Sequence, residues 1–220
     1  MKTDSQLQRD VSAELKWEPS VDAAHIGVEV KDSVVTLTGR VASYNEKWGA
    51  ERAAQRVSGV NAMAIDLKVQ LPGPSMRSDA DIAASVENVL DWTSTLPAAA
   101  VKVMVEGGWV TLSGEVDWQY QKLAATDGVR RLMGVIGVTN QIAIKPLAAA
   151  SATSAIKADI EAALMRTSIA DAKKISVEVQ GADVTLAGTV QSWAERETAT
   201  NSAWGTPGVF NVVDKMRLSY

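Results

Sequence analysis

One pattern occurs three times in this 220-residue chain. Val35-Thr36-Leu37-Thr38-Gly39-Arg40-Val41 returns as Val110-Thr111-Leu112-Ser113-Gly114-Glu115-Val116 and as Val184-Thr185-Leu186-Ala187-Gly188-Thr189-Val190, 75 and then 74 residues further on, with no gap in the motif. The register extends in both directions. Twenty residues after each motif glycine stands a Gly-Val pair: Gly59-Val60, Gly134-Val135 and Gly208-Val209. Ahead of the glycines lie three equivalent apolar triplets: Leu7, Val11, Leu15; Ile82, Val86, Leu90; and Ile156, Ile160, Leu164. A repeat this long is one small module copied, so the chain must fold as three similar units in series.

Units of about 65 to 70 residues lie near the lower limit of self-sufficiency, each burying about 60% of its unfolded surface, which makes packing between copies a natural supplement. A hydrophobic content of 46% with 22% charged residues is that of a globular protein. The absence of cysteine removes disulfides, thiol nucleophiles and thiolate metal sites together. His25 is the single histidine and reads as an ordinary residue at the start of a strand, with no second imidazole to share a metal. The net charge of −4 is spread evenly, 9 basic against 10 acidic residues in 1–74, 6 against 8 in 75–149 and 7 against 8 in 150–220. No copy is a basic module, which argues against nucleic acid and against simple electrostatic adhesion to anionic lipid. No run approaches the 18 or so apolar residues of a membrane span. The first residues, Met1 to Gln8, carry no apolar signal region, so the expectation is a cytoplasmic chain as written, or a periplasmic one if it is a processed form.

Within each copy the apolar triplet has helical spacing, and Asp4 or Ser5, Asp79 and Ser154 stand where caps are expected. Strict alternation follows at Ile26, Val28, Val30, at Val101, Val103, Val105 and at Ile175, Val177, Val179, predicting a strand with one wet face. Short turn segments, Lys31-Asp32-Ser33, Glu106-Gly107-Gly108 and Gln180-Gly181-Ala182, join it to the motif strand as a β-hairpin. Gly39, Gly114 and Gly188 are then expected to serve a tight turn or a close approach of the next helix. A second helix carries small inward residues: Ala50, Ala53, Ala54, Val57; Ala125, Gly128, Val129, Leu132; Ala199, Ser202, Ala203, Thr206. Gly59, Gly134 and Gly208 are expected to end it as C-caps. A last alternating strand runs through Met63 to Val69, Val138 to Ile144 and Val212 to Leu218.

The predicted class is α+β: three tandem αββαβ two-layer sandwiches, each a three-stranded mixed sheet with both helices on one face and a parallel crossover between the last two strands. Boundaries fall at 1–71, 80–146 and 154–220, with linkers at 72–79 and 147–153 marked by Pro72-Gly73-Pro74-Ser75 and Pro146-Leu147-Ala148-Ala149-Ala150-Ser151.

With that order, the Val-x-Leu-x-Gly-x-Val hairpin and the Gly-Val entry to the last strand, the chain resembles three tandem BON domains, the bacterial osmotically inducible and nodulation family. The resemblance implies non-enzymatic bacterial proteins of the envelope or of stress responses that contact phospholipid or other proteins. One branch of the family carries an added LysM domain and binds potassium; no LysM-like remainder is present here. The shared motif residues are structural, so the resemblance transfers no binding residue.

Catalytic constellations are missing from the sequence: no repeated Ser-His-Asp set, no phosphate loop and no His-Glu-x-x-His. No catalytic, cofactor or metal residue is therefore assigned. Gly134-Val135-Ile136-Gly137 has no second glycine in its counterparts and reads as a turn. The seven tryptophans are more informative. Trp17 and Trp92 share a column with Arg166, Trp48 with Leu123 and Glu197, Trp118 with Ser43 and Ser192, Trp193 with Tyr44 and Gln119, and Trp204 with Gln55 and Arg130. Columns that accept Arg, Glu or Ser are not core positions, so these rings should meet a neighbouring copy, a protein partner or a lipid interface. The outward strand positions of the first copy (Gly27, Glu29, Thr36, Thr38, Asp66, Lys68) are polar, whereas those of the second include Met104, Trp109, Thr111, Thr139 and Ala143, and a cover over that face is expected. Asn140 and Asp214 interrupt the inward column held by Ile65 and are expected to bond nearby turn backbone, a cation or ligand site being the alternative. The leading functional expectation is multivalent binding to protein or phospholipid surfaces, with homo-oligomerisation as a further route; the alternative is sensing of potassium or a small ligand.

Overall fold

The computed structural model describes residues 2–145, 153–167 and 174–218. The order is α1 (Asp4–Trp17), β1 (Ile26–Lys31), β2 (Val34–Val41), α2 (Tyr44–Arg56), β3 (Ala62–Val69); α3 (Asp79–Trp92), β4 (Val101–Glu106), β5 (Trp109–Val116), α4 (Gln119–Val129), β6 (Gly137–Ile144); and α5 (Thr153–Arg166), β7 (Ile175–Gln180), β8 (Asp183–Val190), α6 (Trp193–Trp204), β9 (Asn211–Leu218). This is αββαβ three times, with one three-stranded sheet in each repeat and the motif strand at its centre. β1 pairs antiparallel with β2, and β2 parallel with β3; β7, β8 and β9 follow the same scheme. In the second repeat β4 is antiparallel to β5, while Ile136 N–H bonds to Gly108 O and Lys145 N–H to Val116 O, early with early and late with late, as parallel strands require. Of the second linker, 147–153, residues 147–152 lie outside the described residues and Thr153 is the first residue of α5.

The period-four apolar triplets form the helical contribution to each core: Leu7, Val11 and Leu15, Ile82, Val86 and Leu90, and Ile156, Ile160 and Leu164 are all buried. The motif valines and leucines bury from the sheet side, Val35, Leu37 and Val41 in the first repeat and Val184, Leu186 and Val190 in the third. Ala50, Ala53 and Ala54, and Ala199 with Ala203, have no exposed surface, so the second helix lies close against its sheet.

Three local expectations are corrected. Asp4 and Asp79 are the first helical residues, and the caps are Thr3 and Ser78, whose side chains accept from Gln6 N–H and Asp81 N–H. The two aspartates instead reach the hairpin turn: Asp4 accepts from Asp32 and Ser33 N–H, and Asp79 from Gly107 and Gly108 N–H, at 2.7–3.1 Å. A carboxylate at a helix start is favoured by the helix dipole either way. Ser154 lies inside α5. Gly39, Gly114 and Gly188 sit within the motif strand at φ of 131°, 125° and 131°, where a Cβ would overlap the carbonyl of His25, Ala100 or Lys174 at the entrance to the preceding strand. They allow backbone to approach backbone, and the helix that follows is not the close neighbour. Gly59, Gly134 and Gly208 lie in the turn between helix and last strand; α2 is capped by Val57 and α6 by Gly205.

By density of internal contact the chain divides into two compact units, Met1–Gly114 with Ala124–Gln141, and Glu115–Leu123 with Ile142–Tyr220. The division runs through the second repeat.

Candidate functional site

Trp17 and Trp92 are the last residues of α1 and α3. Each stands two residues beyond a buried leucine, Leu15 or Leu90, and two helical steps turn a side chain about 200° around the axis, away from the core. Both rings therefore point outward, with Trp17 76% and Trp92 89% exposed. Arg166 ends α5 in the same way, next to an exposed Met165.

The second helices behave differently. In the first unit Trp48 of α2 lies beneath Arg130, just beyond α4, with the guanidinium carbon 3.4 Å from the ring centroid, and Arg52 approaches the same ring at 5.5 Å. Arg130 is buried and pairs with Asp127 at 2.7 Å, while its Nε finds no partner. Burial pulls this guanidinium below its ordinary pKa, with Asp127 opposing. Burial likewise raises the Tyr44 phenol, which has a backbone hydrogen bond with Val138. Tyr44, Trp48 and Arg52 thus join α2 to the second repeat within this unit, a role that the sequence suggested for Trp48 but not for Tyr44 or Arg130. The repeat columns held the clue, because Arg130 stands in the column of Trp204 and Tyr44 in that of Trp193.

In the second unit Trp118, Gln119, Tyr120 and Leu123 from the start of α4 line a cleft of ≈ 640 Å³ together with Asn201, Trp204 and Gly205 from the end of α6. Trp193, at the start of α6, carries Arg196 at 5.2 Å from its centroid. Trp118 occupies the N-cap place that Ser43 and Ser192 fill in the sister helices, so α4 lacks a hydroxyl cap. Gln121 accepts from Asp117 and Trp118 N–H, while Glu46 accepts from Asp22 and Ala42 N–H and Glu195 from Gln191 N–H. This Glu/Gln/Glu column is a further set that the sequence reading passed over; its signal was an acid or amide three residues after each cap.

The match to a known family is direct: the BON domain family model covers residues 3–70, 78–146 and 152–220. The chain belongs to the BON-domain family. Osmotically-inducible protein Y of Escherichia coli (strain K12) is 30% identical over 146 residues, which is 64% of this chain and 73% of that protein. Among solved structures, CdsD, a structural protein of the type III secretion system of Chlamydia trachomatis, aligns over 97% of this chain and 92% of its own at 13% identity and a TM-score of 0.27. The PrgH periplasmic domain aligns over 89% and 95% at 12% identity and a TM-score of 0.23. Scores that low carry no argument about this protein.

The remaining candidates fall on the open side of the sheets. In the second BON repeat Met104 is 60% exposed and Trp109 47%, so the expected cover over this face is not supplied by the described chain. Trp109 instead lies along its own sheet, its ring filling the space above Gly137 and its Nε1–H donating to Thr139 Oγ1 at 2.8 Å. Asn140 and Asp214 are both tied to the helix that faces them, and Asp214 in addition makes a bond to nearby backbone of the kind expected. Asn140 Nδ2 donates to Thr126 Oγ1 at 2.6 Å, and Arg196 Nε to Asp214 Oδ2 at 2.6 Å; Asp214 also accepts from Met216 N–H. Their side chains point at the helix layer, so the helix is the nearer source of partners. Among the described residues no three His, Cys, Asp or Glu side chains converge to hold a metal, and no helix is long and apolar enough to cross a membrane.

Proposed function

We propose that this BON-domain chain is a non-enzymatic interaction protein of bacterial stress physiology, binding protein or phospholipid surfaces multivalently through three similar repeats, 1–71, 80–146 and 154–220, linked by 72–79 and 147–153. The carrying observation is that Trp17 and Trp92 occupy one column in two repeats and are both exposed, at 76% and 89%. A single exposed apolar residue is ordinary, but two indoles repeated at one position amount to the same contact surface presented twice. An indole combines an apolar body with one N–H donor, which suits an interface that is apolar on one side and wet on the other. Two weak contacts on one chain reinforce each other through effective concentration, gaining about 10²- to 10⁴-fold when both engage together. The stress assignment is supported by the related protein from Escherichia coli, whose name describes it as osmotically inducible.

The test is co-sedimentation of the full chain with phosphatidylethanolamine–phosphatidylglycerol vesicles, alongside pull-down from a bacterial extract, for Trp17→Ala, Trp92→Ala and the double variant. Each single variant should lose about tenfold or more, because removing either ring removes the avidity. Binding by both single variants at the unaltered level would contradict the reading.

Self-association through the open face of the second repeat is a second use of exposed apolar surface, favoured by Met104 and Trp109 lying diagonally on one face of adjacent strands. Light scattering should then give a mass above the 23.4 kDa of one chain, returning to it in Met104→Lys. A single-chain mass at all concentrations would remove this reading.

A further inference from the structure

The junctions in the two units use the same pair of sequence columns with different side chains. In the first, Trp48 lies under the Arg130 guanidinium at 3.4 Å, and Asp127 neutralises the arginine. In the second, the equivalents of Trp48 and Arg130 are Leu123 and Trp204, and the equivalent of Asp127 is Asn201. All three line the ≈ 640 Å³ cleft, with Trp118 and Tyr120 adding two more rings. The second junction therefore has a richer aromatic lining than the first and neither member of its ion pair. No residue lining the cleft carries a charge.

We infer that this cleft binds a soft organic cation, a quaternary ammonium or guanidinium compound, in the role that Arg130 plays from within the chain at the first junction. The faces of Trp and Tyr attract cations, more strongly when the site is partly desolvated, and quaternary ammonium ligands are the usual guests of such aromatic enclosures. The volume lies within the range of about 300–1,000 Å³ found for small-molecule sites. An anion would meet no lysine or arginine in the lining, and the chain's net charge of −4 favours approach of a cation. A sugar ring would also stack on indoles, but its several hydroxyls would find only the Gln119 and Asn201 amides, the Tyr120 hydroxyl and the two indole N–H groups as side-chain partners, with no carboxylate or cation among them. The inference is independent of the multivalent reading, because Trp17 and Trp92 take no part in the cleft.

The test is calorimetric titration of the full chain with tetramethylammonium chloride against sodium chloride at equal ionic strength, with tryptophan fluorescence as a second readout. Saturable binding of one equivalent is expected. Trp118→Ser places at this position the residue found at Ser43 and Ser192, so the fold, followed by circular dichroism, should persist while affinity falls about tenfold. Trp204→Arg gives the cleft its own guanidinium and should abolish the binding. Overturning results are the absence of any saturable response beyond that of sodium, unchanged affinity in both variants, or binding of methyl glucoside in place of tetramethylammonium.

Discussion

Gly39 shows how much one residue of the repeated motif decides. Its φ of 131° lies where only glycine is at ease, and a Cβ would run into the His25 carbonyl. Gly39→Ala should therefore cost about 3 kcal/mol in chemical denaturation, the upper range for backbone strain at one position. Glu46 makes a gentler case. Its two carboxylate oxygens accept from Asp22 and Ala42 N–H at 2.8 and 2.6 Å, whereas the single amide oxygen of Gln121 accepts from Asp117 and Trp118 N–H, and Pro97, which has no N–H, stands in the column of Asp22. Glu46→Gln keeps one acceptor oxygen and turns an NH2 toward the other N–H, so it should cost about 1 kcal/mol in a thermal melt, whereas Glu46→Ala should cost about 2 kcal/mol through two unpaired backbone donors. Equal losses for the two would show that the charge, and not the acceptor, matters. Both roles could be reached from the sequence only in part. The recurrence of Gly39 announced a backbone requirement, but choosing between helix and carbonyl as the close neighbour needed tertiary coordinates. Asp4 and Asp79 were misplaced for a related reason, since a helix start favours aspartate whether it caps the helix or reaches across to a turn.

At the scale of elements, the spacing of apolar residues carried nearly all of the fold. Period four, then period two twice, then small inward residues, then period two again can be satisfied only by helices and strands in the order found, and the hairpin turns follow from the few residues between the two alternating runs. What spacing could not carry was the polar stitching between elements. Arg56, the last residue of α2, bonds Glu14 and Glu18 at the end of α1 at 2.8 and 2.7 Å. Hydrogen bonding to Arg56, then to Ser20, holds the Glu18 carboxyl below its ordinary pKa, and Glu18 followed by Glu14 raises Arg56. A carboxyl with a depressed pKa stabilises the fold fully above the unfolded value, about 4.3, and that contribution is lost as pH falls through the lower folded value. Arg56→Ala should remove about 1 kcal/mol at neutral pH, and stability should then fall less steeply on acidification below pH 4.3; the pair is partly exposed, so the figure is that of a surface bridge. Denaturation midpoints across pH 3 to 7 for both proteins measure the difference, and parallel curves would contradict it.

For the whole molecule, three copies of one module have diverged where they meet each other and stayed alike where each builds its own core. That is why the core was legible and the junctions were not: Tyr44, Trp48 and Arg130 come together across 86 residues of sequence, and no local pattern encodes the meeting. The tryptophan columns do not all lie outside the cores, since Trp204 packs against the core of its own repeat and Arg130 in the same column is buried; the structure sorts the rings into those that serve junctions on the second helices and the exposed rings of Trp17 and Trp92 on the first. The central claim is that these two free rings form the working surface. Incorporating 5-fluorotryptophan and following the seven fluorine resonances during titration with phosphatidylethanolamine–phosphatidylglycerol vesicles, or with the protein recovered in pull-down, tests it most directly. The account predicts that the signals of Trp17 and Trp92 shift or broaden together, ahead of the other five. A response confined to the second-helix tryptophans, with Trp17 and Trp92 unmoved at saturation, would contradict it.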